Sequence, residues 1–167
     1  DHPNARICFV GPCAAKKLEA NRRSVRSDVD FVLTFEELQG MFDAKEINFA
    51  EIVPGPDDDM DEGTGMGRGF AVGGGVAAAV VEAIKHMDPD REVKIEYGDG
   101  LRECRKMLAM AKAGKRDGYL LEGMACPGGC VAGAGTIQPV KQSAVSVEKF
   151  KNDAAEMSCT VSPHLHR

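Results

Sequence analysis

Residues 122–135 place two cysteines in a stretch with almost no side-chain bulk. The stretch consists of Glu-Gly-Met-Ala-Cys-Pro-Gly-Gly-Cys-Val-Ala-Gly-Ala-Gly, with Cys126 and Cys130 in a Cys-x3-Cys arrangement. A packed core needs side-chain volume, which this run lacks. Its glycines instead let a bulky group approach the backbone closely. A metal cluster is one such group, since thiolates ligate it and backbone N–H groups pack against its sulfides. On spacing alone, a glycine turn flanked by two buried cysteines stays an open alternative.

The composition is that of an ordinary globular chain. It has 167 residues, 43% of them hydrophobic, and a formal net charge of −5. We therefore expect a single domain over residues 1–167. A mildly acidic chain without a basic stripe argues against nucleic acid and against anionic membranes as partners. No apolar run approaches the roughly 20 residues that a membrane-spanning helix needs.

Compartment and cysteine use can also be inferred. The start, Asp1-His-Pro-Asn, has no basic region leading into an apolar one, so it is no signal peptide. The absence of an initial Met before a strand indicates a piece of a longer protein. Six cysteines in a long, core-rich chain favour metal ligation or inert thiols over a disulfide framework, and a reducing cytoplasm fits best. Three of them are weaker candidates for ligands: Cys8 is expected in the core, Cys104 is expected to be structural, and Cys159 follows the last predicted helix near the end of the chain.

Segments with strand character alternate with segments of helix character. Strands are predicted at residues 5–10, 30–34, 93–97 and 117–123, and helices at 14–20, 35–42, 73–86, 101–113 and 145–157. The alternation predicts an α/β fold with a four-stranded, mainly parallel sheet flanked by helices. Sites on such sheets lie outside the carboxyl ends of the strands. Thr34 is a predicted N-cap with Glu37 as its capping-box partner. Residues 51–66 are expected to form an acidic mobile loop, and residues 158–167 a tail.

A third cysteine follows the first strand. In Gly-Pro-Cys-Ala-Ala-Lys-Lys-Leu-Glu, residues 11–19, Cys13 stands at a predicted helix N-terminus, where the helix dipole stabilises a thiolate. Lys16 lies one turn later and is placed to direct a cation at whatever Cys13 binds. Lys16 and Lys17 could equally be a solvated helix face, and Glu19 a surface carboxylate or a proton relay.

The segment 63–76 is rich in glycine and precedes a helix. A loop of this kind can cradle phosphate, but no Gly-Lys-Ser/Thr ending follows, and the glycine spacing does not match a dinucleotide fingerprint. Close backbone approach to a compact inorganic group fits better. A glycine hinge ahead of an Ala/Val helix is the bland alternative.

Both cysteine segments resemble signature motifs of one family, the [FeFe]-hydrogenases. Residues 11–19 are similar to its Met-Pro-Cys-x-x-Lys-Lys-x-Glu segment, and residues 122–135 to its Glu-x-Met-Ala-Cys-x-Gly-Gly-Cys-x-x-Gly-x-Gly segment. The resemblance runs from about residue 5 to about residue 140. It implies that the chain is one lobe of the catalytic domain of such an enzyme, and its carboxyl-terminal part.

The resemblance also implies a cofactor, the H-cluster. This is a [4Fe–4S] cubane joined through one cysteine to a di-iron subcluster that carries CO, cyanide and an azadithiolate bridge. Cys13, Cys126 and Cys130 would be three of the four cubane ligands, with Cys130 bridging to the di-iron unit. Lys16 would hydrogen-bond a cyanide, and Glu19 would belong to the proton path.

Further residues would surround the cofactor. Phe70, Val76 and Met124 would line the di-iron pocket, while Gly128 and Gly129 would let the cluster approach the backbone. The implied reaction is the reversible oxidation of H2 to protons and electrons, with ferredoxin or another redox protein as electron partner.

The departures from the family pattern matter as well. The Thr-Ser-Cys-Cys-Pro signature, which supplies the fourth cubane ligand, is absent, so we expect the missing amino-terminal half of the protein to be a partner. The isolated fragment is then expected to hold an absent or incomplete cluster and to be inactive. Gly11 replaces a methionine, and Gly123 and Thr136 differ from the common residues of their motif.

Two alternatives stay open. An opened di-iron pocket resembles that of sensory hydrogenases, which would bind H2 for signalling. A hydrogenase-like iron–sulfur assembly scaffold would hold a cubane without a di-iron centre. The presence of Lys16, Glu19 and Met124 favours a di-iron site, since a cubane alone needs none of them.

Overall fold

The computed structural model describes residues 4–22, 24–25, 28–55, 63–162 and 165. It divides into two compact units, one formed by Asp1–Val53 with Ala132–Pro139 and the other by Pro54–Val131 with Val140–Arg167. The single domain expected from the sequence stays a prediction. The expected acidic loop at 51–66 and tail at 158–167 lie partly outside the described residues, which omit 56–62, 163–164 and 166–167.

The first unit contains a two-stranded parallel sheet. Its elements are β1 (Cys8–Val10), α1 (Ala15–Asn21), β2 (Phe31–Leu33), α2 (Phe35–Ala44) and a 3-10 turn at Phe49–Glu51. Strands β1 and β2 pair in register from Cys8 with Phe31 to Val10 with Leu33. The predicted capping box is confirmed, because Thr34 Oγ1 accepts the N–H of Glu37 and the Glu37 carboxylate accepts the N–H of Thr34.

The second unit contains the other parallel pair. Its elements are α3 (Gly65–Arg68), a 3-10 turn at Gly69–Ala71, α4 (Gly75–Met87), β3 (Lys94–Asp99), α5 (Leu101–Lys112), β4 (Tyr119–Met124), α6 (Val140–Asn152) and 3-10 turns that begin at Cys130 and Cys159. Strands β3 and β4 pair from Lys94 with Tyr119 to Asp99 with Met124. Helix α5 is the crossover between them, as parallel pairing requires.

The predicted α/β class and parallel pairing agree with the structure, but the four-stranded sheet was wrong. The described residues form two separate two-stranded sheets, β1–β2 and β3–β4. Strand–helix alternation specifies parallel crossovers within each pair. It does not specify whether two pairs share a hydrogen-bonded edge, because that depends on tertiary contacts that a local pattern does not contain.

The last helix was also misplaced. It begins at Val140, directly after Pro139, and ends at Asn152, whereas residues 145–157 were predicted. The residues beyond it have other partners, since the carbonyls of Glu156 and Met157 accept the backbone N–H groups of Gly65 and Met66. Backbone hydrogen bonds therefore hold residues 156–157 against the start of α3, outside the helix.

Buried apolar side chains are few among the described residues. Ala77, Met107 and Val131 form the buried core, and all three belong to the second unit. Within the described residues, every helix is too short or too polar to cross a lipid bilayer.

Candidate functional site

The two-cysteine loop follows β4 without a spacer. Cys126 is half-buried, Cys130 is exposed, and Cys130 begins a 3-10 turn. Between them, Gly128 and Gly129 both have a φ of +96°, a backbone conformation that favours glycine. The N–H of Gly129 donates to the carbonyl of Cys126 at 3.0 Å, which closes the loop on itself. Both thiols are thus presented by one tight, internally bonded turn.

Two neighbouring segments hold this loop through Gly128. Its N–H donates to Oδ1 of Asp99, the last residue of β3, at 2.7 Å. Its carbonyl accepts the N–H of Gly73 at 3.1 Å. Just upstream, the N–H of Gly100 donates to the carbonyl of Met124 at 2.8 Å. The loop is therefore fixed by the end of β3 on one side and by the glycine-rich segment on the other.

The chain's own backbone closely approaches one of these two glycines, Gly129. A Cβ placed on Gly129 would lie 2.5 Å from the Gly73 nitrogen and 2.7 Å from the carbonyl oxygen of Ala71. The N–H groups of Gly128 and Gly129 donate to Asp99 and Cys126, so they are engaged within the protein. From the sequence, the glycine density was assigned to a cluster. The structure assigns part of it to backbone packing.

Glu122 anchors the glycine-rich segment. Its buried carboxylate accepts the N–H of Gly74 at 2.8 Å and the N–H of Ala77 at 2.6 Å. These are N–H groups at the amino-terminal end of α4, where the helix dipole favours a negative charge. Glu122 thus satisfies the place at which a phosphate would bind, which argues against the phosphate-cradle interpretation. The sequence singles out Glu122 only as part of the 122–135 segment. The capping role could have been suspected from α4, whose N-cap residue, Gly74, has no side chain to accept the free N–H groups of the first turn.

A cavity of about 270 Å³ lies at the carboxyl ends of β3 and β4, and we call it the strand-end cavity. Its lining includes Met124, Glu122, Asp99 and Tyr97, together with residues 72–74. This is the edge at which the sequence predicted a site. Of the three predicted pocket residues, Met124 lines the cavity, whereas Phe70 and Val76 are not among its lining residues.

The first unit presents the other cysteine. Cys13 is half-buried and precedes Ala14, the N-cap residue of α1. Lys16 Nζ donates to Oε1 of Glu19 at 2.8 Å, and both side chains are 42% exposed. These two residues line a small cavity of about 50 Å³ with Phe9, Ala20, Val29 and Val32. Lys16 and Glu19, predicted to serve the same site, thus form one ion pair.

The end of the 122–135 segment packs in this unit as well. The N–H of Gly135 donates to the carbonyl of Pro12, next to Cys13, at 3.0 Å, and its carbonyl accepts the N–H of Glu36. A Cβ on Gly135 would collide with the Thr34 side chain. Gly135 is therefore fixed between the Cys13 segment and the start of α2.

Lys17 has a structural role. Its Nζ donates to both carboxylate oxygens of Glu37, at 2.8 and 2.9 Å, and to the carbonyl of Val32 at 3.0 Å. The Lys17 hydrogen bond, followed by that from the Thr34 N–H, holds the pKa of Glu37 below its ordinary value. Asp30 has a lowered pKa as well, because it accepts the N–H of Ile7 and a hydrogen bond from Arg6.

The three remaining cysteines, Cys8, Cys104 and Cys159, differ in their surroundings. Cys104 is half-buried and its Sγ donates to the carbonyl of Gly98 at 3.2 Å, so it joins α5 to β3. A Cβ on Gly98 would lie 2.7 Å from the Cys104 Cα. Cys8, expected in the core, is exposed, as is Cys159. All six cysteines lie in the described ranges, and none forms a disulfide.

The donor set fits an iron–sulfur cluster in its chemistry. Cys126 and Cys130 offer soft thiol ligands on a loop whose intervening residues have little bulk, and Cys13 is a third thiol outside any disulfide. Thiolates select iron–sulfur clusters over hard cations. Within the part of the chain that the structure describes, no group of three His, Cys, Asp or Glu side chains is arranged to hold a single metal ion.

Comparison with known proteins gives one consistent result. Residues 1–134 match the family described as iron only hydrogenase large subunit, C-terminal domain. The periplasmic [Fe] hydrogenase large subunit of Nitratidesulfovibrio vulgaris is 34% identical over 162 residues, a match that covers 78% of this chain and 38% of that protein. A probable cytosolic Fe–S cluster assembly factor of Culex quinquefasciatus is 28% identical, over 78% of this chain and 35% of that protein. The chain therefore spans about two fifths of these curated relatives.

A solved structure shows the same fold. The apo [FeFe]-hydrogenase HydA1 of Chlamydomonas reinhardtii, variant C377H, superposes with a TM-score of 0.64 at 20% identity. The superposition covers 95% of this chain and 56% of that one. At this level of identity the likeness concerns the fold alone.

Proposed function

The chain belongs to the iron-only hydrogenase large-subunit family, and we propose that the whole protein oxidises H2 reversibly at an H-cluster held partly by this chain. The observation that carries the proposal is the two-cysteine loop at the carboxyl end of β4, next to Met124 in the wall of the strand-end cavity. A cluster-binding site requires soft ligands close to a concave surface, and this loop follows directly on a residue that lines such a cavity.

Three thiolates would ligate the cubane: Cys13, Cys126 and Cys130. Cys130 is exposed, which suits the proposed bridging position, because a bridging sulfur needs space on two sides. Gly128 and Gly129 would contribute by their lack of side chains, since their N–H groups already have protein acceptors. When bound, the cofactor with its CO, cyanide and azadithiolate ligands would supply the splitting and formation of H2.

The Lys16–Glu19 ion pair would serve the cofactor in two ways. The Lys16 ammonium would donate a hydrogen bond to an anionic cyanide, and its present bond to Glu19 shows that it already stabilises an anion. Glu19 would belong to the proton path, and its 42% exposure places its carboxylate in contact with solvent, as that role requires. Met124, Phe70 and Val76 would exclude water from the di-iron site.

A basic helix supports an acidic electron carrier, such as ferredoxin, as the partner. Residues 101–116, which include α5, hold six basic residues and one acidic residue in a chain of net charge −5. Arg102, Arg105, Lys106 and Lys112 are exposed. A concentrated positive surface speeds encounter with an acidic partner. The net charge of the whole chain, −5, predicts no basic stripe, because acidic residues elsewhere in the chain outnumber these local basic residues.

The assembly-scaffold alternative has support in the relatives, which include cytosolic Fe–S cluster assembly factors. A scaffold would bind a cubane and would need neither Met124 at a cavity wall nor the Lys16–Glu19 pair. A sensory role stays a third proposal. We also propose a cytoplasmic location, which agrees with the cytosolic assembly factors among the relatives. The relatives also include a periplasmic subunit.

The decisive experiment uses the full-length protein, matured with the hydrogenase accessory machinery. We expect H2 uptake with an artificial electron acceptor and infrared bands of CO and cyanide. Cyanide and CO bands with negligible turnover would support the sensor. A [4Fe–4S] electron paramagnetic resonance signal without those bands would establish the scaffold and contradict both hydrogenase proposals.

A further inference from the structure

Gly128, in the two-cysteine loop, is anchored through both its N–H and its carbonyl, which belong to the two successive peptide groups on either side of its Cα. Its N–H donates to Asp99 Oδ1 at 2.7 Å and its carbonyl accepts the N–H of Gly73 at 3.1 Å. Gly128 lies between Cys126 and Cys130, so these two hydrogen bonds also constrain the backbone that carries both thiols. The Asp99 bond is the shorter of the two and involves a charged acceptor, which makes it the stronger.

Each anchor is itself held in place. Asp99 ends β3, whose pairing with β4 places Asp99 opposite Met124, two residues before Cys126. Gly73 precedes Gly74, whose N–H is held by the buried Glu122 carboxylate at 2.8 Å. Two carboxylates, one from each strand of the sheet, therefore position the two backbone segments that meet at Gly128.

We propose that Asp99 is a positioning residue for the cysteine ligands: it fixes the Gly128 peptide and thereby presents Cys126 and Cys130 to one cluster. This inference deepens the proposed function and rests on it for the identity of the ligand. Asp99 does not belong to either signature motif, and it acts through the backbone of the loop.

A second consequence concerns the cluster's surroundings. Hydrogen bonds to the sulfurs and nearby charge both set the reduction potential of an iron–sulfur cluster. Because the Gly128 N–H donates to Asp99, it cannot donate to a cluster sulfur. The Asp99 carboxylate also places a negative charge next to the loop. Both effects favour the oxidised cluster, so loss of Asp99 raises the potential.

The test compares Asp99→Ala, which removes the acceptor, with Asp99→Asn, which keeps an acceptor oxygen and removes the charge. Asp90→Asn is the matched control, because Asp90 is an exposed aspartate in the connection that leads into the same strand. The first measurement is hydrogen–deuterium exchange at the Gly128 amide in the full-length protein before cluster loading. We expect exchange about tenfold faster in Asp99→Ala and within about threefold of wild type in Asp99→Asn and Asp90→Asn.

The second measurement follows reconstitution with iron and sulfide. We expect Asp99→Ala to bind less iron than wild type, Asp99→Asn to restore binding, and both to show a higher cluster potential than Asp90→Asn. Unchanged Gly128 exchange in Asp99→Ala, or equal iron binding and potential in all variants, would overturn the inference. If wild type binds no cluster while Asp99→Ala accelerates Gly128 exchange, the proposed function fails and the loop-positioning role of Asp99 stands.

Discussion

Oε2 of Glu122 accepts the backbone N–H of Ala77 at 2.6 Å, a bond that joins the end of β4 to the first turn of α4. Ala77 is the most buried apolar residue of the described core, at 2% exposure, so the bond lies away from water. The same carboxylate also binds Gly74. One side chain of the 122–135 segment thus connects the sheet that presents the two-cysteine loop to the helix that follows the glycine-rich segment.

Replacing Glu122 should destabilise the second unit strongly. Glu122→Ala leaves the N–H groups of Gly74 and Ala77 without an acceptor, and we expect a loss of about 2–4 kcal/mol in the free energy of unfolding. Glu122→Gln keeps one acceptor oxygen and should lose about half as much. Urea denaturation checks both, with Glu92→Gln, an exposed residue before β3, as control. A loss below about 1 kcal/mol in Glu122→Ala, on the order of one ordinary hydrogen bond, would contradict the capping role.

Cluster content can distinguish the proposed cysteine ligands from the other cysteines. We expect Cys126→Ala and Cys130→Ala in the full-length protein to abolish the cubane, because a cluster that loses a thiolate is labile. Cys159→Ser should leave cluster content unchanged, since Cys159 is exposed and outside the motifs. Iron and sulfide analysis with visible absorption is the measurement. An intact cubane in Cys126→Ala would disprove the ligand assignment.

The local features of this region could be predicted from sequence, and the tertiary ones could not, for physical reasons. The two-cysteine turn and the Thr34–Glu37 capping box each close within a few residues, so spacing predicts them, whereas ligation of a cluster by Cys126 and Cys130 stays a prediction. Asp99 was missed because its partner, Gly128, is 29 positions away. An exposed aspartate at a strand end has no distinguishing pattern until tertiary contacts place a backbone N–H in front of it.

The four-stranded sheet failed for the same reason. The local periodicity of the sequence predicts each β–α–β crossover. Whether two strand pairs join edge to edge depends instead on residues far apart in the chain, and here the described residues form two separate sheets. The interpretation of the glycines was incomplete for a different reason. It recognised that something must approach the backbone, but a neighbouring backbone has no sequence signature, and residues 71–73 supply that neighbour.

Acid should weaken the first unit through Glu37. Lys17 and the Thr34 N–H lower the pKa of Glu37 in the folded state. A depressed folded pKa contributes stability above the unfolded value of about 4.3, and this contribution is lost as pH falls through the folded pKa. The urea midpoint of wild type should therefore fall on acidification from about pH 6 to about pH 3. Glu37→Gln should show a smaller fall over the same range.

Asp30 adds to this dependence with the same sign, since the Ile7 N–H and Arg6 lower its pKa. The measurement therefore compares the acid-induced fall of the urea midpoint in Glu37→Gln with the fall in wild type, because Glu37→Gln is not expected to be independent of pH. Glu36→Gln is the control, because Glu36 is a neighbouring helix residue with an exposed side chain. An equal fall in Glu37→Gln and wild type would show that the Lys17 pair contributes nothing to acid sensitivity.

Charge reversal on α5 should slow electron exchange with an acidic carrier. Arg102→Glu combined with Arg105→Glu changes two exposed cations, and we expect the second-order rate with an acidic ferredoxin to fall about tenfold or more at low salt. The difference should shrink as ionic strength rises, because salt screens exposed charges. Lys141→Glu combined with Lys149→Glu, on α6, is the control. Equal rates for both double variants with ferredoxin would place the docking surface elsewhere.

Three glycines allow the backbone-packing interpretation to be tested against the cluster interpretation. Gly129 has a φ of +96°, and an added Cβ would lie 2.5 Å from the Gly73 nitrogen, so Gly129→Ala must both strain the backbone and displace residues 71–73. Gly114 has a φ of +70° and nothing within 4 Å of such a Cβ, so Gly114→Ala isolates the backbone strain. Gly40 lies inside α2 with nothing within 4 Å and no positive φ.

These differences fix the order of stabilities in protein without a cluster. We expect Gly40→Ala to stabilise by about 0.5–1 kcal/mol, because alanine is the better helix former. Gly114→Ala should cost about 1–2 kcal/mol for the left-handed conformation. Gly129→Ala should cost about 3 kcal/mol or more, since the displaced atoms are backbone. Urea unfolding of the cluster-free protein measures all three. If Gly129→Ala costs no more than Gly114→Ala there, yet blocks cluster binding, the glycine serves the cluster rather than the chain.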